Sequence, residues 1–229
     1  MQQINDKKMG LLFYSVGRFE GLQADAGSTI DFVKANNTVV LPSQIDMTII
    51  YALKAAWCAI EPNDGKVTVA DFEKVHTNLL MPKGILEVTE VQTATHNKTM
   101  KNVKAIVSET LFAEKIAEAL SGGANLYEKA ARLFATIVKL HPFTTGNKQT
   151  AIIVVNRLLL ADDEVLLIPY TDSEYQKFMA NLEDFIANKV TLTEFGSYYG
   201  TYVRKLNNLE ITRPFGKIID LTTQDKAAF

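Results

Sequence analysis

LHPFTTGNKQTAIIVV, residues 140–155, joins three polar chemistries to an almost unbroken apolar run. His141 sits beside Pro142 and Phe143, a turn of small residues follows, and Lys148 closes the polar part. Pro142 disfavours helical backbone at the residue before it, so one helix ends here. Gly146 can take conformations closed to other residues, so 144–146 fold tightly and a second helix begins near Asn147. From Ala151 to Ala161 that helix is apolar on every side except at Asn156 and Arg157, the pattern of a helix surrounded by others. Its first turn leaves unpaired backbone N–H groups at the positive end of its dipole. Such a place takes anions, phosphate being the usual occupant. Lys148 adds a charge, and His141 at the mouth is a candidate general base. The same residues also read as plain structure: a His that caps a helix, a glycine turn and a solvated lysine.

Helical spacing recurs on both sides of this stretch. Leu12, Val16, Phe19 and Leu22 predict an amphipathic helix over 9–24, and a second covers 28–36. A long helix opens at Leu41-Pro42-Ser43 with Ile45, Ile49, Leu53, Ala56 and Ile60 on one face, and Pro62 to Gly65 end it. Thr68 with Asp71 caps ADFEKVHTNLL, residues 70–80, in which His76 reads as partly exposed. Residues 83–98, KGILEVTEVQTATHNK, are rich in Thr and Val and predict a short β-hairpin with His96 in a polar turn. Helices return over 106–120 and 125–140, the latter with Leu126, Ala130, Leu133, Phe134, Ile137 and Val138 on one stripe. VLLIP reads as extended, Asp162 to Glu164 as a solvated loop, and two more helices cover 172–187 and 192–207. Tyr198 and Tyr199 read as packing residues of the last one. The fold class is therefore mainly α, a helical bundle around a central buried helix with a short β-hairpin. Residues 1–40 form an N-terminal helical extension, 41–211 the main domain and 212–229 an irregular tail.

The 229 residues carry a formal charge of −2 and are 47% hydrophobic and 22% charged, ordinary values for a globular protein. That balance offers no electrostatic footprint for nucleic acid. Cys58 is the only cysteine, which excludes an internal disulfide and a cysteine metal cage, and AAWCAI reads as a buried setting for it. Three histidines far apart, with no carboxylate at ligand spacing, predict no metal site of the zinc type. The N-terminus does not read as a signal peptide and no apolar run spans a bilayer, so a soluble cytoplasmic protein without a membrane partner is expected.

HPFTTGNK resembles the motif H-P-F-x-(D/E)-G-N-(G/K)-R-x-x-R of Fic and death-on-curing proteins. His141, Pro142, Phe143, Gly146, Asn147 and Lys148 match it, Lys148 in the manner of the death-on-curing variant. The helix before the motif, the apolar helix after it and the 83–98 hairpin stand in that family's order, so the resemblance implies a Fic-like domain over 41–211. It also implies transfer of a phosphate-containing group from a nucleotide to a protein hydroxyl, most often AMP from ATP. His141 would then take the hydroxyl proton, while Thr144, Thr145, Gly146, Asn147, Lys148 and Gln149 would hold the nucleotide phosphates. The hairpin would align an extended segment of the target protein by strand addition.

Three positions depart from the motif. Thr145 stands where the family's Asp or Glu holds Mg²⁺, and a hydroxyl brings no charge to a metal normally held through carboxylates and phosphates. Gln149 stands where an Arg grips phosphate, and an amide cannot supply the charge-assisted bidentate contact. Ile152 fills the second Arg position. In the N-terminal segment, SVGRFEGLQ resembles the inhibitory helix of some Fic proteins: Glu20 and Gly21 fit, and Val16 replaces the expected Ser. The family's partner for that Glu is here Ile152, so Glu20 is expected to reach Lys148 instead, or else to be a solvated charge. The expected function is a Fic-type adenylyltransferase using ATP. The alternatives are a catalytically degenerate Fic-fold binding protein and a death-on-curing-like kinase or toxin. The oligomeric state and the target are not readable from the sequence.

Overall fold

The computed structural model describes residues 6–36, 38–59, 66–80, 105–159, 165–169 and 171–208. At its centre lies the helix Asn147–Val155, in which every residue except Lys148 is buried. Ile152, Ile153, Val154 and Val155 are fully enclosed, each burial being worth about 1.5–3 kcal/mol. Such a helix needs neighbours on every side. In chain order they are α1 (Asp6–Gly17), α3 (Gln44–Cys58), α4 (Val69–Leu80) and α6 (Leu126–Leu140), with the central helix as α7. Helices α2 (Ala26–Ala35), α5 (Glu109–Ser121), α8 (Asp172–Ile186) and α9 (Leu192–Asn208) complete the described elements. The chain is thus mainly helical, as the spacing predicts, and no strand occurs among the described residues.

Local chemistry starts these helices where it should. Asp25, Ser43, Ser108, Asn125 and Thr171 each accept a hydrogen bond from a first-turn amide, each cap contributing about 1 kcal/mol. Asp71 accepts from the Thr68 amide at 2.8 Å, the capping pair read from the sequence. Helix α6 meets α9 at unusually close range: a Cβ placed on Gly200 would lie 2.9 Å from the Glu128 Cα.

The N-terminal residues belong to the same hydrophobic core as the rest. Buried Asp46 accepts from the Gln23 amide at 2.7 Å, tying the chain after α1 to α3. A 3-10 turn, Arg18–Glu20, follows α1, where the periodicity predicts a helix continuing to residue 24. Gly21, with φ 78°, ends it. Arg18 anchors this turn: its guanidinium donates to Pro169 O at 3.2 Å and to Asp172 at 2.7 Å, and lies 4.1 Å from the Tyr175 ring centroid. These contacts fasten the turn to the start of α8, while Phe19 and Glu20 meet Lys148 and Gln149 at the start of α7.

Several expectations are corrected. The apolar run after α7 does not continue as α-helix to Ala161 but tightens into a 3-10 turn, Asn156–Leu158. There the Asn156 amide receives the Leu166 N–H at 2.6 Å and donates to Ile152 O at 2.6 Å, knitting the buried 165–169 segment to the central helix. Arg157, the other polar exception in this run, is buried and pairs with Asp71. Cys58 is exposed, not buried, because it falls off the Ile50–Leu53–Ala56 face of α3. His76 is fully buried, on the Phe72–Val75–Leu79 side of α4. Tyr199 packs as read, its hydroxyl donating to Leu167 O at 2.7 Å, whereas Tyr198 is exposed. The predicted hairpin at 83–98 with His96, the loop at 162–164 and the tail at 212–229 lie outside the described residues.

Candidate functional site

The site is built where α6 stops and α7 starts. Pro142 cannot follow a helical residue easily, and His141 takes the left-handed conformation, φ 52° and ψ 55°, as the cap of α6. Its amide donates to Ile137 O at 3.0 Å. A non-glycine residue there is uncommon, histidine being one of the tolerated exceptions. The imidazole is left exposed at the mouth of the loop. Pro142 O accepts from the Ile106 amide at 2.8 Å, which ties the segment before α5 to the same loop.

Below the mouth the loop is pinned twice. Phe143 is buried, stacked on His76 with centroids 3.9 Å apart and planes within 11°. Asn147 closes the loop on itself: its Oδ1 accepts from the Phe143 amide at 2.9 Å and its Nδ2 donates to Phe143 O at 2.7 Å. Gly146, at φ 66°, makes the sharp entry to α7. The first intrahelical bond of α7 runs from Thr150 N–H to Gly146 O at 3.0 Å. The amides of Asn147, Lys148 and Gln149 precede that ladder, the geometry of a helix N-terminus open to an anion.

One cavity of about 200 Å³ opens beside this turn. Ile49, Ala52 and Leu53 of α3 and Leu79 of α4 form its apolar wall, and Thr145, Gly146, Gln149 and Glu20 its polar one, with Thr48 at the edge. Of the residues the sequence singled out, the structure gathers these last four around one space. His141 and Asn147 do not line it. Thr144 is exposed on the loop.

Glu20 does not pair with Lys148. Its Oε1 accepts from Gln149 Nε2, and Gln149 is itself buried. Lys148 instead holds its Nζ 5.4 Å from the Phe19 ring centroid. Burial pushes the Glu20 carboxyl above its ordinary range, and the Lys148 charge opposes that without cancelling it. The amide at the usual Arg position is thereby engaged by the N-terminal turn. The position beside it is also engaged: Thr150 Oγ1 lies 3.1 Å from His76 Nδ1. Sequence reasoning passed over His76. Its spacing was the available signal, since Phe72, Val75, His76 and Leu79 recur at the interval of a buried stripe.

Mg²⁺ does not fit the residues present. Glu20 is the only carboxylate lining the cavity among the described residues, and it is hydrogen-bonded to Gln149. No cluster of three metal-ligating side chains occurs among the described residues. No described helix is long and apolar enough to cross a membrane.

Residues 66–159 match the model of the Fic/DOC family. Solved structures share the fold. Fic-1 from C. elegans, a fragment of the protein, is 18% identical with a TM-score of 0.60, over 87% of this chain and 61% of that one. A Fic domain containing signalling protein from Bacteroides thetaiotaomicron is 17% identical with a TM-score of 0.58, over 88% of this chain and 86% of that one. The chain thus spans about 61% of the length of the C. elegans fragment. No curated protein matches it. The likeness read from residues 141–148 holds for the family region and for the fold.

Proposed function

We propose that this chain, whose residues 66–159 match the Fic/DOC family, is a Fic-type transferase that moves AMP from ATP to a hydroxyl of another protein. The observation that carries the reading is an exposed His141 at the end of α6, joined to the open N-terminus of α7 by a loop pinned twice. In this reading His141 accepts the proton of a Ser, Thr or Tyr hydroxyl. The freed oxygen bonds to the α-phosphorus, the bond from that phosphorus to pyrophosphate breaks, and pyrophosphate leaves with the electron pair. Backbone amides within residues 144–149, those of Asn147, Lys148 and Gln149 foremost, receive the α-phosphate oxygens, with Lys148 adding charge. Asn147 serves by fixing the loop. The target segment docks along residues 83–98, and a cytoplasmic setting goes with this reading.

The rate is low in this reading. A positioned base contributes about 10²–10⁴. Charge stabilisation usually contributes more, and here it lacks both acid and arginine. Thr145 carries no charge with which to hold Mg²⁺. Glu20 restrains the site further, since it places a carboxylate where nucleotide phosphates would approach and engages Gln149.

A second reading is a Fic-fold protein that binds a nucleotide or partner without chemistry, and the engagement of Gln149 by Glu20 favours it. ATP labelled on the α- or γ-phosphate, incubated with the protein and cell lysate, separates the readings. Transfer of α-label that disappears in His141→Ala supports AMP transfer. γ-Label would mean the death-on-curing-like kinase or toxin. No label from either, with transfer appearing in Thr145→Asp/Gln149→Arg, would replace the enzyme by the degenerate binding protein.

A further inference from the structure

His76 belongs to none of the motif positions, yet it touches the loop at three of them. Its ring lies face to face with Phe143, centroids 3.9 Å apart. Its Nδ1 is 3.1 Å from Thr150 Oγ1, one turn into α7. Its Cε1 would stand 3.3 Å from a Cβ on Gly146, so the imidazole edge closes the floor beneath the sharp turn. The side chain is fully buried, and its Nε2 has no hydrogen-bond partner among the described residues. A buried ring with one nitrogen unsatisfied is costly; leucine or phenylalanine would fill the volume without that cost. The nitrogen that is satisfied joins α4 to the residue whose own N–H begins the α7 ladder.

We propose that His76 is a positioning residue for the loop, holding Phe143, Gly146 and Thr150 in register from beneath so that the amides of residues 147–149 converge on one phosphate group. It acts through those residues and touches no substrate. The proposal rests on the reading of the loop as the phosphate site, and it adds what sets the loop's geometry. Aromatic stacking fixes the height of Phe143, and the Thr150 hydrogen bond fixes the rotation of α7's first turn about its axis. Preorganisation of this kind shows as affinity in a protein that still folds, because a donor displaced by a fraction of an ångström no longer meets its oxygen.

The test compares Thr150→Val, which removes the hydroxyl at constant shape, with Thr150→Ser, which keeps it, and with His76→Phe, which keeps the stack and loses the nitrogen. Calorimetric titration with ATP should show affinity roughly five- to tenfold weaker in Thr150→Val and in His76→Phe, no further loss in the double variant, and wild-type affinity in Thr150→Ser. Urea unfolding should remain cooperative in all four. In parallel, the amide resonances of Asn147, Lys148 and Gln149 should move in Thr150→Val and return in Thr150→Ser. Equal ATP affinity across the set, with unmoved amide resonances, overturns the proposal. If wild type takes up no ATP, the phosphate-site reading fails and the resonances decide His76 alone. Movement restored by Ser upholds its control of the loop, and unmoved resonances overturn it.

Discussion

Acid should destabilise this protein through His76. Burial lowers the imidazole to about 4 from an ordinary 6.5. Among the described residues no charge contributes to that shift, neither Glu73 and Lys74 on α4, Lys54 on α3 nor Lys148 on α7. Above pH 6.5 the ring is neutral in both the folded and the unfolded chain, and the group favours neither. Between 6.5 and 4 the unfolded chain binds a proton that the folded one refuses, so stability falls as pH falls. Below 4 both states are protonated and the full penalty is present. Two and a half pH units at 1.36 kcal/mol each set an upper bound of about 3.4 kcal/mol. The Glu20 carboxyl, raised by burial, works in the opposite sense, stabilising slightly as pH falls, and it is common to wild type and variant. Urea unfolding at pH 7, 6, 5 and 4 should therefore show a stability loss that is larger in wild type than in His76→Asn by as much as about 3.4 kcal/mol. Asn places an amide where Nδ1 stood and does not titrate. Parallel curves for the two proteins would refute the reasoning, since the imidazole would then be hydrated or already charged at neutral pH.

Removing the Asn147 amide leaves the Phe143 N–H and C=O buried without partners, so Asn147→Ala should cost about 2–4 kcal/mol, read as a lower melting temperature. Gly200→Ala should destabilise in spite of alanine's better helix propensity, because the new Cβ meets the Glu128 backbone. Alanine's usual advantage of about 1 kcal/mol should invert to a loss in chemical denaturation. Glu20→Ala should tighten ATP binding roughly fivefold, on the order of 1 kcal/mol for a charge removed near an anion, measured by calorimetry. The wild-type affinity should gain relative to Glu20→Ala as pH falls, since burial raises the Glu20 carboxyl and it takes up its proton earlier than an ordinary carboxylate.

The helices were legible because their chemistry is local. Ser43, Asn125 and Thr171 announce their helix starts, and α7 is so uniformly apolar that only a central place suits it. The loop was legible as well, since Pro142 restricts the residue before it and Gly146 admits a sharp turn that other residues resist. What escaped the sequence depends on distance through space. Nothing in KVHTNLL says that His76 will lie under Phe143, sixty-seven positions along, although its place on the Phe72–Leu79 stripe argued for burial. Cys58 looked buried by its neighbours, yet it lies off the packed face of α3. The Glu20 contact fell one residue from the expected one because Arg18, fastened to Pro169 and Asp172, fixes where the turn meets α7. Lys148 then points to Phe19 and Gln149 inward.

The proposed chemistry requires that the first turn of α7 receive a phosphate group. Titration of ATP into isotopically labelled protein, followed at the backbone amides, tests it directly. The Gly146, Asn147, Lys148 and Gln149 resonances should move saturably, all four following one binding curve and weaker in onset when Lys148 is changed to Ala. Saturable movement confined to other helices, with those four amides still, would contradict it.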